Sequence, residues 1–288
     1  MHTENTPPLT RFEQEQRTVL PEFLTDTIRV ITGHESIRRF DSTPIAAEAM
    51  EAILVSARSA PTSSNLQAYS IIVIQDDERR ARMAHLVGDQ GYVAEAPVML
   101  VFCADTSRLR YLAERQGHPF AANNLEMFLT ASIDASLALQ NALVAAESLG
   151  LGAVPIGSVR NEPNRVAAEL ALPYGVVAIA GLTIGYPSAA ARRGAKPRLP
   201  SDSVVHYEQY STDDLEQHVT DYDAAMIANG LYAGRQVATG THQVADSEYG
   251  WAEHTARRTS KPETLAGPSA ALRDQLKDEV ESRGFTIR

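Results

Sequence analysis

An α+β fold around a mostly antiparallel or mixed sheet is what this 288-residue sequence predicts. Three observations lead there. Short apolar runs rich in β-branched residues read as strands. Helical patterns intervene without the strict strand–helix alternation of a parallel sheet. One long run, residues 124–150, is apolar or small nearly all round, as a central helix would be.

Residues 1–22 are polar and rich in Thr, Pro and Glu, and read as a flexible leader before one domain spanning 23–288. A first helix is expected from about Leu24 to Ile31. In "PIAAEAMEAILVSARSAP", Met50, Ile53, Leu54 and Ala57 share one helical face, and Pro61 stops the helix. "SIIVIQD" (70–76) reads as a strand, and "DDERRARMAHLVG" (76–88) as a helix with an exposed charged face. "PVMLVFCAD" (97–105) is a continuous apolar run, as a strand covered on both faces would be.

In the long helix, Leu125, Phe128, Leu129, Ile133 and Leu137 line one side, and Ala131, Ala135, Ala138, Ala142 and Ala145 the other. Small side chains let another element approach closely. The expectation is therefore a buried helix at the centre of the fold or at a subunit interface. Gly150 and Gly152 follow its end. "GAVPIGSV" (152–159) and "VVAIAGLTIGYP" (176–187) read as strands, with a helix near 162–171 between them. A loop follows Pro187, then a helix near 212–229, a Gly-rich turn at 230–240 and an amphipathic helix over 271–284. The basic stretch "TARRTSK" (255–261) reads as a mobile or solvated region.

The formal net charge of −10 argues against a nucleic-acid partner, which needs a basic surface. No run of 18 apolar residues suggests a membrane span, and the N-terminus lacks the pattern of a signal peptide. Cys103 is the single cysteine, so no internal disulfide is possible, which fits a reducing, cytoplasmic setting. It lies in an apolar run and reads as an inert core thiol. No histidine or cysteine pair has metal-ligand spacing, and no P-loop, dinucleotide fingerprint or nucleophile elbow is present.

Against that negative background, local basic clusters stand out. In "GHESIRRF" (33–40), His34, Ser36 and Arg38 fall at i, i+2 and i+4, one side of an extended segment. Guanidinium and hydroxyl donors suit phosphate oxygens. Ser36 as a helix cap beside solvated arginines is the competing reading. In "KPRLP", Pro197 stiffens the chain, so Lys196 and Arg198 project alike. Alone this is a solvated basic loop, whereas together the two clusters suggest one shared phosphate. "APTSSNLQ" (60–67) offers Thr62, Ser63, Ser64 and Gln67 to a polar ligand, or serves as turn chemistry. In "PIGSV" (155–159), Gly157 lets the backbone approach a ligand, or marks a bulge. Gln90 is a further loop amide.

Taken in order, "GHESIRRF", "SARSAPTSSNLQAYSIIVI", "VFCAD", "QNALVAAESLGLGAVPIGSVRN" and "KPRLP" resemble the nitroreductase superfamily across residues 25–225. They are most similar to its NADPH-dependent branch of oxygen-insensitive nitroreductases and flavin reductase P-like FMN reductases. No one motif is highly specific; their joint order is. The resemblance implies a homodimer with FMN at the subunit interface, and a C-terminal extension from about 205 wrapping or capping that dimer.

Residue by residue, it implies that His34, Ser36, Lys196 and Arg198 hold the FMN phosphate. It places Arg38 near the flavin N1/O2 edge, Ile37 beside it, and Gln90 on the pyrimidine edge. Pro155, Ile156, Gly157 and Ser158 would flank the ring. Thr62, Ser63, Ser64 and Gln67 fall in the hydroxyl loop lent by the other subunit. Glu35 stands where the family usually has Arg, and Ser158 where Gly is common. Ala233 falls near the position of the family's NADPH-binding Arg, with Arg235 as the candidate two residues on.

The implied activity is ping-pong hydride transfer from NADPH, or NADH, through FMN to nitroaromatics, quinones or free flavin. No side chain is implied as catalytic, because the flavin carries the chemistry. The alternatives are reduction of activated alkenes or halogenated substrates on the same fold, and an FMN store or sensor without turnover.

Overall fold

The computed structural model describes residues 20–189, 191, 194–238, 244–260 and 273–287. Most of the polar leader, Lys261 of the basic stretch, the end of the Gly-rich turn and the start of the last expected helix lie outside the described residues. The described elements are, in order, α1 (Asp26–Thr32), α2 (Ala47–Arg58), β1 (Tyr69–Ile74), α3 (Asp77–Leu86), α4 (Gly91–Glu95), β2 (Val98–Asp105), α5 (Ser107–Arg115), α6 (Leu125–Ser148), β3 (Gly152–Ile156), α7 (Pro163–Glu169), β4 (Val176–Gly185), α8 (Leu215–Asn229), α9 (Trp251–Ser260) and α10 (Leu276–Ser282). They divide between two compact units. One comprises the described parts of Met1–Glu35 and Arg193–Leu265, the other those of Ser36–Arg192 and Ala266–Arg288.

The larger unit holds the sheet, in strand order β1-β2-β4-β3, with every neighbouring pair antiparallel. All eight residues of β2 are buried, because helices cover both faces of the sheet. The period of two is plain in the packing. Leu100, Phe102 and Ala104 join one cluster with α2 and α6, while Met99, Val101 and Cys103 join the other with α3 and α7. A bulge between Phe102 and Cys103 shifts the register against β4.

The long helix is α6, capped by the Asn124 side chain, which accepts from Met127 N at 3.0 Å. Ala131, Ala135, Ala138, Ala142 and Ala146 are buried against the sheet and α2. The helix is not buried all round, as its composition suggested. Leu129, Ile133 and Leu137 on the opposite side are exposed, at 47%, 58% and 39%. The alanines, being small, form the inner face and let the helix lie close to the sheet. Of the larger apolar side chains, Leu129, Ile133 and Leu137 turn outward, while Leu139 and Leu143 are buried.

The strand expected over 152–159 stops at Ile156, and Gly157–Arg160 form a 3-10 turn. Pro155 is exposed on this edge strand, where a missing N–H costs nothing. The outer edge of β3 is met by the opening motif. Ser36 bridges Ala153 in parallel, and Ile37 N donates to Ala153 O at 3.0 Å. Ile37 presses so close that a Cβ at position 152 would stand 2.6 Å from its side chain, so only glycine fits there. Two short helices, α4 (five residues) and α5 (nine residues), were not expected from sequence.

The smaller unit contains α1, α8 and α9. The described part of the basic stretch, residues 255–260, is helical and lies in α9; Ala256, Thr259 and Ser260 are exposed there, but Arg257 is buried. Arg257 Nε donates to Glu253 Oε1 at 2.6 Å, its Nη1 donates to Val237 O at 2.9 Å, and its guanidinium lies over the Tyr249 ring. Asp223 of α8 accepts from Ala252 N at 2.8 Å at the start of α9. The same carboxylate leaves 2.1 Å for a Cβ at 250, hence Gly250.

Candidate functional site

The extended strip expected from "GHESIRRF" has the predicted alternation. Glu35 and Ile37 are buried, His34 and Ser36 half-buried, and Arg38 exposed.

In the larger unit, three of the sequence candidates meet around a residue that sequence reading did not single out. Gln90 Nε2 donates to Ser158 Oγ and to Val87 O, both at 2.6 Å. The Tyr92 hydroxyl donates to Gln90 Oε1. Burial pushes the Tyr92 hydroxyl up, and the Arg38 guanidinium, which hydrogen-bonds it, pulls it back down. A guanidinium, a phenol, an amide and a hydroxyl thus form one chain of contacts beside the end of β3. The local signal for Tyr92 was only its place two residues after Gln90.

The Gly157–Ser158 turn is also held from behind. Arg273 Nη2 donates to Gly157 O at 3.3 Å and its Nε to Asn161 Oδ1 at 3.1 Å. Arg160 donates to Ile179 O. Burial, then the charge of Arg273, lowers its guanidinium from the usual range. Fixing the Gly157 carbonyl orients the peptide that carries the Ser158 N–H, the kind of backbone donor a ring edge can use.

The hydroxyl loop 62–67 hangs between α2 and β1. Ser64, Asn65 and Gln67 all adopt left-handed φ angles of 48°, 56° and 51°, a conformation costing a non-glycine residue of order 1 kcal/mol or more. Ser63, Ser64 and Gln67 are exposed and Thr62 half-buried. The loop is tied to α6 by Asp134, which accepts from Ser63 N and Ala68 N.

In the smaller unit, Lys196 is half-buried and Arg198 exposed, its Nη1 donating to Pro197 O at 3.4 Å. Pro197 O also accepts from the Tyr222 hydroxyl of α8 at 3.4 Å. Arg235 is exposed and lies in the field of His254, whose imidazole is lowered by burial, then by Arg258 and Arg235. His254 Nδ1 contacts the Tyr249 hydroxyl at 3.1 Å. Cys103 is buried as expected, its thiol pushed up to about 12 by burial and by Asp105.

Donor chemistry of this kind suits a flavin: a cation and an amide for the polar edge of the ring system, hydroxyls and cations for a phosphate. Comparison with known proteins agrees. Residues 31–186 match the model of the nitroreductase family, and residues 196–288 that of the nitroreductase family's C-terminal domain. The FMN reductase [NAD(P)H] of Bacillus subtilis (strain 168) is 42% identical over 207 residues, covering 70% of this chain and 82% of its own length. The oxygen-insensitive NADPH nitroreductase of Salmonella typhimurium is 38% identical over 239 residues, covering 83% and 92%. Among solved structures, the NADPH:FMN oxidoreductase from Vibrio harveyi complexed with NAD+ superimposes with a TM-score of 0.77 at 31% identity, covering 92% of this chain and all of that one.

Proposed function

The chain belongs to the nitroreductase family, and from that premise we propose a homodimeric, cytoplasmic enzyme in which NADPH or NADH and then an electron acceptor use one cleft in turn. It is an FMN-dependent NAD(P)H oxidoreductase, as its relatives are. Nitroaromatics, quinones and free flavin are the acceptor classes.

When bound, FMN supplies the capacity to accept and return a hydride. This chain's residues bind, orient and exclude. Ser36 and His34, with Lys196 and Arg198, would hold the phosphate. Arg38 would place positive charge at the ring edge, which favours the anionic reduced form. Gln90 would present its amide to the pyrimidine edge, already oriented by Val87 and Ser158. Pro155, Ile156, Gly157 and Ser158 would line the ring, with Ile37 fixing the register of the phosphate strip against β3. The partner subunit would supply Thr62, Ser63, Ser64 and Gln67. Arg235, in one basic neighbourhood with His254 and Arg258, is the candidate for the dinucleotide phosphate. Protons come from solvent.

The observation that carries this reading is the Arg38–Tyr92–Gln90–Ser158 chain beside the end of β3. The exposed Leu129–Ile133–Leu137 side of α6 supports the dimer, because a stripe this apolar on a central helix is a surface for association. The test is anaerobic: the purified protein, supplied with FMN, is mixed with NADPH, then NADH, while the visible flavin band is followed. Bleaching within seconds is expected. A band that persists with both donors would point to storage rather than turnover, and no band after FMN addition would overturn the flavin site.

A further inference from the structure

The hydroxyl loop and the long helix are joined by one buried carboxylate. Asp134 is 1% exposed and sits among Ala131, Ala135 and Ala138 on the inner side of α6. Its Oδ1 accepts from Ser63 N at 3.0 Å and its Oδ2 from Ala68 N at 3.2 Å. The two oxygens therefore close the loop at both ends. Between those ends lie the three left-handed residues Ser64, Asn65 and Gln67. Such backbone persists only where its surroundings over-determine it. The far end is gripped a second time: Arg108 Nη2 donates to Gln67 O at 2.9 Å and to Tyr69 O, while Asp105 holds Arg108 at 3.0 Å.

A carboxylate in this position costs desolvation that a further alanine would avoid. What it supplies, and alanine cannot, is a pair of charge-assisted acceptors, one for the Ser63 N–H and one for the buried Ala68 N–H.

We propose that Asp134 is a positioning residue for flavin binding: it sets the shape of the 62–67 loop and so the placement of the Thr62, Ser63 and Ser64 hydroxyls. The proposal rests on the reading that those hydroxyls contact FMN. It adds a residue that touches no ligand and lies 71 positions along the chain from the loop it shapes.

The test compares Asp134→Asn, which keeps size and one acceptor, with the triple variant Thr62→Ala/Ser63→Ala/Ser64→Ala. Each is stripped of FMN and reconstituted. FMN affinity is read by flavin fluorescence quenching, flavin geometry by visible circular dichroism, and fold integrity by the melting midpoint of the apoprotein. Asp134→Asn is expected to weaken FMN about tenfold, the scale of one lost hydrogen bond to a charged group. It should also alter the flavin dichroism while the apoprotein still melts cooperatively. Normal affinity and dichroism in Asp134→Asn, with weakened binding in the triple variant, would overturn the positioning role and leave the loop's contact with flavin standing. Unchanged binding in both would remove the loop from the flavin site, and the proposal with it. A melting midpoint lowered equally with and without FMN, at normal affinity, would make Asp134 purely structural and also overturn it.

Discussion

The Gln90 side-chain amide donates to the Ser158 hydroxyl across 2.6 Å, joining the start of α4 to the turn that ends β3. The Ser158 hydroxyl thereby helps to orient the Gln90 amide. Ser158→Ala removes the acceptor but leaves the bond to Val87 O. We expect FMN affinity to fall about threefold to tenfold, the range for one neutral hydrogen bond at about 1 kcal/mol. Fluorescence titration of the apoprotein measures it. Wild-type affinity in this variant would show that Gln90 needs no help from Ser158.

Lys196 and Arg198 carry the second half of the phosphate assignment. Replacing both with alanine removes the two cations assigned to the phosphate from a chain whose net charge is already −10. The double variant is expected to purify without flavin and to need far more added FMN for activity. Full FMN occupancy after purification would refute their role.

The sheet and its helices were largely legible because they are periodic. The continuous apolar run of β2 announced a strand covered on both faces, and the alanines of α6 announced close packing against it. The basic stretch misled because composition speaks of solvent, whereas Glu253, four residues before Arg257, supplies the partner that lets that arginine be buried. The site was legible as residue types but not as contacts. Arg38, Gln90 and Ser158 are far apart in sequence; Gln90 bonds Ser158 directly, and Arg38 joins them through the Tyr92 hydroxyl. Asp134 left one faint mark, a carboxylate between Ile133 and Ala135 in the apolar middle of the helix. Its partners at Ser63 and Ala68 belong to a distant loop, and no local pattern encodes such a pairing.

His254 predicts a pH dependence with a definite sign. Burial, then Arg258 and Arg235, lowers its folded pKa below the ordinary 6.5. The unfolded chain therefore takes up this proton more readily than the folded one. The stability contributed by neutral His254 is fully present above about pH 6.5 and is lost as pH falls from there through the lower folded value. The melting midpoint should decline between pH 7 and pH 5.5, and His254→Gln should flatten that part of the curve. Superimposable curves for the two proteins would show that His254 titrates normally.

Ile133 offers the sharpest test of the dimer. It is 58% exposed, on the side of α6 away from the sheet, with Leu129 and Leu137 within one turn on either side. A glutamate there meets solvent in a monomer, so the fold of a single chain should tolerate it. Across a two-fold interface the same change would bury two carboxylates against apolar surface, and unpaired buried charge is among the costliest substitutions. Ile133→Glu is expected to shift the protein from dimer to monomer in sedimentation velocity, with secondary structure intact by circular dichroism. If the partner lends Thr62, Ser63 and Ser64 to each flavin, FMN affinity should fall with dissociation and recover at higher protein concentration. A variant that remains dimeric would move the interface elsewhere. A monomer that binds FMN as well as the parent would show that each subunit completes its own flavin site.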